Sequence, residues 1–497
     1  MSTSSRALLL DNHLKETWIT MAIVFALSVL ASLLGGAAPA LAVVVLPLAY
    51  YYLFRAPFWV AARLLVILGL FVEPPAMVPG ATYWISPLQA ADNTLYGTIK
   101  NLTGMPGGSM SFFFVCTCIM LYRAYRRNPD PLRFTPSMKL LRTLCGSFVI
   151  GLVAIEVWGM LRGGRIEPSF FQAIQILTVP ILTLALAYSL RSSEDLNAVG
   201  NIIVNVAVAR GLLVAFTYFF VCLPMGINPP EYCTTHGDST TFAAAFLILV
   251  AHVIIDRNKR TLWRLGLVGA FLLAAMVMNN RRLAFVCVGV GALAMYFALP
   301  PSRTRRRLNR ILLIAAPLLF LYVIAGEGTT HPIFAPARLA WSALEQKDLS
   351  SDSRDVENLN LVATLSEHPV LGSGFGHEYT EVLKIYDISE FMPLYRFIPH
   401  NSILWLWTVA GLVGFVWLWI LPLSAAYFGA RAFRAAEGTF ERVGALVSVG
   451  IVSVWISANW GDVGLASETN VMIFAIGMAV ATKINAEHEY RQLTGQA

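Results

Sequence analysis

Charge is scarce in this sequence. Lys, Arg, Asp and Glu supply 13% of its 497 residues, about half the share of an ordinary soluble chain. Hydrophobic residues supply 57%, and mean hydropathy is +0.64. That balance excludes an ordinary soluble protein of this length. Cysteine is sparse as well. All six except Cys233 fall in or beside apolar windows, so the sequence predicts neither a disulfide framework nor a CxxC metal site. There is no low-complexity tract and no internal repeat of the kind that marks inverted-repeat transporters. No cleavable signal peptide is evident, because the first apolar run follows a polar start and lacks a compact core with a small-residue cleavage site.

What is present is a succession of apolar windows. A hydrocarbon core is crossed by roughly 20 apolar residues in a helix, the form that satisfies every backbone N–H and C=O internally. Windows of that kind fall at 18–34, 38–54, 57–75, 106–122, 144–161, 170–190, 197–225, 241–256, 262–279, 283–299, 311–326, 401–428, 443–459 and 470–483. The expected fold is therefore all-α and polytopic, one membrane domain over 1–497 with about fourteen transmembrane helices. Basic residues collect in 123–142, 257–264 and 303–310, which the positive-inside rule places together in the cytoplasm. The net charge of +7 thus reads as a topology signal spread over membrane edges, and no nucleic-acid partner is expected. The same alternation puts both termini in the cytoplasm and residues 327–399 outside it, as one large loop.

A loop of that length is usually either functional or disordered, and this one has apolar and helix-forming pieces in "ARLAWSALEQ" and "VENLNLVATLSE" that favour a fold over the membrane face. Along it come Arg354 in "SSDSRDVENLN", the turn "HPVLGSGFG", and then His400 and Asn401, where the chain re-enters an apolar run containing Gly411 and Gly414. His331, His368 and His377 lie in the same loop. The combination of an arginine at a helix start, a Pro-hydrophobic-Leu-Gly-x-Gly-x-Gly turn and a distant His-Asn before a helix resembles the superfamily of O-antigen ligases and lipid-linked glycan polymerases, membrane glycosyltransferases of GT-C architecture. The close match covers roughly residues 350 to 415; any one piece alone is a weak signal.

The resemblance implies a membrane glycosyltransferase that moves glycan from undecaprenyl diphosphate to an acceptor hydroxyl at the periplasmic face of the bacterial inner membrane. It implies no cofactor and no metal, and partners comprising the lipid-linked glycan, the bilayer, and chain-length regulator and export proteins. The residue types suit that chemistry on their own account. A diphosphate leaving group needs fixed positive charge, and the planar fork of Arg suits phosphate better than Lys. The candidates are Arg354, Arg210, Arg281 and Arg282. The attacking hydroxyl must lose a proton, and an imidazole at the membrane mouth is a suitable general base. His400 is that candidate, with Arg354 as its catalytic partner and Asn401, Gly372 and Gly374 in support.

Each assignment has a plainer competitor. A histidine at a helix start can simply cap it, Asn401 can cap or orient the imidazole, and Arg210 can pair with a carboxylate such as Glu156 instead of meeting an anion. His368 and His377 flank the glycine turn and read as structural. The turn reads as support for the site more than as a phosphate cradle, since no Walker-type lysine follows it. Asp352, Asp355 and Glu357 read as solvated carboxylates, and Trp405 as the tryptophan placed to stack on a sugar. Polymerisation of O-antigen or exopolysaccharide repeat units is favoured slightly over an O-antigen ligase acting on the lipid A-core, on the number of spans and the long loop. A polysaccharide or lipid transporter is the remoter alternative, since it would show paired broken helices and midplane charges, of which the chain has few.

Overall fold

The computed structural model describes residues 3–33, 55–73, 86–97, 110–127, 130–191, 193–227, 230, 232–329, 331, 334, 336–338, 349–384 and 394–495. Within them the regular elements are helices: α1 Thr3–Leu33, α2 Phe58–Phe71, α3 Gln89–Leu95, α4 Phe112–Arg127, α5 Pro136–Leu161, α6 Ile166–Ser189, α7 Ser193–Thr217 with a closing π turn Tyr218–Cys222, α8 Asp238–Ile255, α9 Lys259–Met278, α10 Arg282–Ala298, α11 Arg303–Ala325, α12 Leu349–Glu367, α13 Ser402–Ala435, α14 Thr439–Gly461 and α15 Glu468–Leu493. Ten helices among the described residues are long and apolar enough to cross a membrane, and α2 and α10 are shorter apolar helices. The chain is thus an all-helical, multi-pass membrane protein.

The expected count of about fourteen spans is not reached among the described residues. The window 38–54 lies outside them, and 106–122 meets only α4, whose second half turns basic at Arg123, Arg126 and Arg127. Elsewhere helices outrun their windows, because a helix continues into polar sequence once its backbone is hydrogen-bonded; α13 runs on through Arg431 and Arg434. Of the expected loop helices, "VENLNLVATLSE" lies in α12. Most of "ARLAWSALEQ" lies outside the described residues.

At the two extremes, hydropathy and burial run in opposite directions. The apolar window of α15 has mean hydropathy 1.3 and is wholly buried, whereas that of α11 has 2.1 and no part buried. In a bilayer the lipid is as apolar as any side chain, so the interior goes to helices that pack closely and carry groups needing partners. Helix α15 supplies Gly477, Ala475, Ala479 and Ala481, together with the buried Lys483, Asn485 and Glu489. Lys483 pairs with Asp130, and Glu489 accepts from the N–H and hydroxyl of Ser137 at 2.8 and 2.7 Å and pairs with Arg431 at 2.8 Å. These contacts tie down one end of the bundle, the end that bears the arginine-rich connections. The other end gathers Arg162, His236, Arg281, the described part of 327–399, and Asp462.

Candidate active site

The turn after α12 is held by glycines whose backbones touch. Gly372, Gly374 and Gly376 have φ of 71°, 80° and 81°, the left-handed region that glycine adopts without penalty. A Cβ on Gly374 would lie 2.3 Å from Gly159 Cα on α5, and one on Gly372 would lie 2.4 Å from Gly411 N on α13. Helix α13 is itself broken at Gly411, at φ 60°. The turn repairs the break: Ser373 N donates to Thr408 O at 3.0 Å, Gly374 N to Val409 O at 2.9 Å, and in return Leu412 N donates to Pro369 O at 2.9 Å and Val413 N to Val370 O at 3.1 Å. Irregular backbone at membrane depth is tolerated when protein satisfies it in this way. Gly372 N donates to His368 O at 3.0 Å and Gly376 N to Gln172 Oε1 at 2.7 Å. The N–H groups of Gly372, Ser373, Gly374 and Gly376 are therefore spent inside the protein and do not cradle a phosphate.

Side chains lock the same turn from α5. Trp158 Nε1 and Arg162 both donate to Gly372 O at 3.1 Å, Arg162 also meets His368 Nε2 at 2.8 Å, and His377 Nε2 reaches Gly159 O at 3.2 Å. His368 and His377 are accordingly engaged in holding the turn. Trp405 is 2% exposed and faces Phe375 at a ring distance of 6.5 Å, so it packs under the turn and offers no stacking platform to a sugar.

With α12 fixed against α13, His400 meets a carboxylate. Glu357 Oε2 accepts from the His400 backbone N–H at 3.0 Å and faces Nδ1 at 3.2 Å; Oε1 faces the same nitrogen at 3.4 Å. A carboxylate only accepts, so in the neutral imidazole the nitrogen facing it carries the proton and Nε2 keeps its lone pair. The Glu357 side chain is 6% exposed and that of His400 27%, which buries the orienting group and opens the oriented one. Capping falls to the neighbour: Asn401 Oδ1 accepts from Leu404 N at 3.0 Å, while its amide donates to Asn358 Oδ1 at 3.0 Å. Arg354 stands one helical turn before Glu357, on the same face of α12.

A second cluster adjoins the first. Ser402 Oγ donates to Asp462 O at 3.3 Å, and the Asp462 carboxylate, 4% exposed, pairs with His236 Nδ1 and with Arg281 at 3.1 Å. Burial pushes the Asp462 carboxyl up, but the charge and hydrogen bond of His236, with the charges of Arg281 and Arg354, outweigh it and hold the group well below the usual carboxylate range. Arg354, Arg281, His236 and His400 thus converge at one end of the bundle around two buried carboxylates.

Arg210 does not join them. Its Nε and one terminal nitrogen fork onto Asp238 at 2.7 and 2.8 Å; that nitrogen also donates to Thr235 Oγ1 at 3.2 Å, and the other donates to Phe71 O at 3.2 Å and to Glu73 O. All five guanidinium hydrogens are engaged and the side chain is wholly buried. The expected diphosphate contact gives way to an internal ion pair, and the partner is Asp238, not Glu156, which accepts from Ser169 at 2.6 Å. Arg282 begins α10 beside Arg281.

Glu357, expected from the sequence to be a solvated carboxylate, is instead buried against His400, while His236 and Asp462 escaped the sequence reading. The spacing of Arg354 and Glu357 on one helix was a usable signal for the first. For the other two the signal was isolation: "TTHGD" and "NWGDVG" each put a titratable group at a helix end in a chain with little charge.

Residues 267–419 match the family model described as O-antigen ligase, which supports the O-antigen ligase superfamily that the motifs resemble. The matched stretch runs from α9 into α13 and takes in Arg281, Arg282, Arg354, Glu357, the glycine turn and His400, while Arg210, His236 and Asp462 lie outside it. Comparison with curated proteins found no match.

Proposed function

We propose that the protein is a membrane glycosyltransferase of the bacterial inner membrane that moves glycan from undecaprenyl diphosphate to an acceptor hydroxyl at the periplasmic face, polymerising O-antigen or exopolysaccharide repeat units. Both termini then lie in the cytoplasm and 327–399 in the periplasm, where chain-length regulator and export proteins are the partners expected at the membrane surface. The observation that carries this reading is the buried Glu357 carboxylate on His400 Nδ1 at 3.2 Å, since it presents Nε2 as a base at the end where the arginines gather.

In this reading the acceptor O–H gives its proton to His400 Nε2 as its oxygen bonds to the anomeric carbon. The bond from that carbon to the diphosphate oxygen breaks, and the electron pair leaves with the diphosphate. Glu357 stabilises the imidazolium that forms, and Arg354 and Arg281 meet the growing charge on the leaving group. Arg281 is partly neutralised by Asp462, which leaves Arg354 as the main cationic contact.

The matched family's description favours a second reading, ligation of finished glycan onto a lipid A-core. One experiment tests the shared chemistry and separates the two. His400→Asn keeps a polar side chain beside the Asn401 cap but cannot take a proton near neutral pH, so transfer should fall by roughly 10²- to 10⁴-fold at normal protein level. A polymerase variant leaves single repeat units, and a ligase variant leaves full-length chains on the carrier lipid. Wild-type glycan from a stable His400→Asn protein would refute the assignment.

A further inference from the structure

Cys222 and Cys233 are eleven positions apart and their sulfurs face each other at 4.0 Å, both side chains wholly buried. Sequence position alone separated them, since one ends an apolar helix and the other sits in a connection. Cys222 is the last residue of the π turn that closes α7. Cys233 is held from the other side: its N–H donates to Asn279 Oδ1 at 2.9 Å and its thiol to Met278 O at 3.2 Å, at the end of α9. Thr234 N donates to the same Asn279 oxygen at 2.9 Å. A disulfide needs the sulfurs at about 2.0 Å, so the two thiols stand about 2 Å from bonding distance.

We propose that Cys222 and Cys233 form a structural disulfide on the outward side of the protein, made as the chain folds and then sealed in the packed interior. This extends the outward placement of that end in the proposed function and is independent of the glycosyl-transfer chemistry. The oxidant is a protein disulfide of the kind that envelope thiol oxidoreductases carry. One cysteine thiolate attacks that disulfide and the second displaces the mixed intermediate. One sulfur–sulfur bond forms, one breaks, and both thiol protons end on the two departing oxidoreductase thiols. Burial pushes the Cys233 thiol well above its usual value, so exchange after folding is slow and the link acts as a staple instead of a switch. What it staples bears on the site: three residues beyond Cys233 comes His236, on Asp462, and between them Thr235, on Arg210.

The test uses the full-length protein, made in cells with an oxidising envelope and purified in detergent without reductant. Free thiols are blocked with N-ethylmaleimide in denaturant, the protein is reduced, and newly released thiols take a mass-tagged maleimide. Two tags are expected, on Cys222 and Cys233 by peptide mass spectrometry, and Cys233→Ser should move Cys222 into the first, blocked pool. Blocking of all six cysteines in the first step overturns the proposal. Reductant added to the native protein should leave the bond intact, while reductant with denaturant releases it; ready reduction of the native protein would overturn the staple.

Discussion

If Glu357 works by its charge, replacing it with an isosteric amide separates charge from orientation. Both His400 donors converge on one oxygen, the backbone N–H at 3.0 Å and Nδ1 at 3.2 Å, so the carbonyl oxygen of Glu357→Gln can take that place and keep Nδ1 protonated. What disappears is the negative charge beside the imidazolium of the transition state. Two unit charges near 4 Å apart interact by about 4 kcal/mol at an effective dielectric of 20. With the His400 side chain 27% exposed, screening trims this to about 2–4 kcal/mol, or roughly 30- to 10³-fold in rate. Glu357→Ala loses orientation as well and should reach the roughly 10²- to 10⁴-fold deficit of removing the base. The assay is single-turnover transfer from lipid-linked donor in membranes matched for protein amount. Because the two residues act as a unit, Glu357→Gln added to His400→Asn should cost little more than His400→Asn alone. A Glu357→Gln protein within about threefold of wild type, or a double variant whose losses multiply, would remove Glu357 from the mechanism.

Three further outcomes follow from the same geometry. Arg354→Lys should keep its charge and lose most transfer at unchanged protein level, since one ammonium cannot reproduce a bidentate fork; near-normal glycan would make Arg354 a solvated residue of α12. Arg210→Ala should instead act on the fold, leaving Asp238 buried without its partner and costing about 3–5 kcal/mol, seen as a lowered thermal midpoint in detergent. A normal midpoint with lost transfer would return Arg210 to the substrate site. Burial, with Glu73 as a neighbouring charge, pushes the Asp92 carboxyl up to about 7. A raised carboxyl holds its proton longer folded than unfolded, so its contribution is complete below the ordinary value of 3.8 and is lost as pH rises through about 7. The thermal midpoint should therefore fall as pH rises from about 4 to about 7, less so in Asp92→Asn, and an equal slope in the two proteins would count against it.

The sequence by itself determined the class of molecule and where most helices run, because transfer into hydrocarbon is a property of composition summed over a window. It also marked Arg354, the glycine turn and His400, whose order along the chain is itself the signal. Some partners near in sequence could be guessed, as with Asn401 and Leu404 at a helix start. Only the tertiary structure decided which charges are joined. Glu357 and His400 are 43 positions apart and Arg281 and Asp462 are 181 apart, and nothing local distinguishes Asp238 from Glu156 as the partner of Arg210. Burial was equally hidden: α15, the least apolar of the spanning helices, became the centre, and α11, the most apolar, the periphery. Hydrophobicity measures exchange with water, and inside a bilayer that term no longer separates protein from lipid. Close packing of small residues and the need of each buried charge for a partner take its place, and both are relations between distant segments.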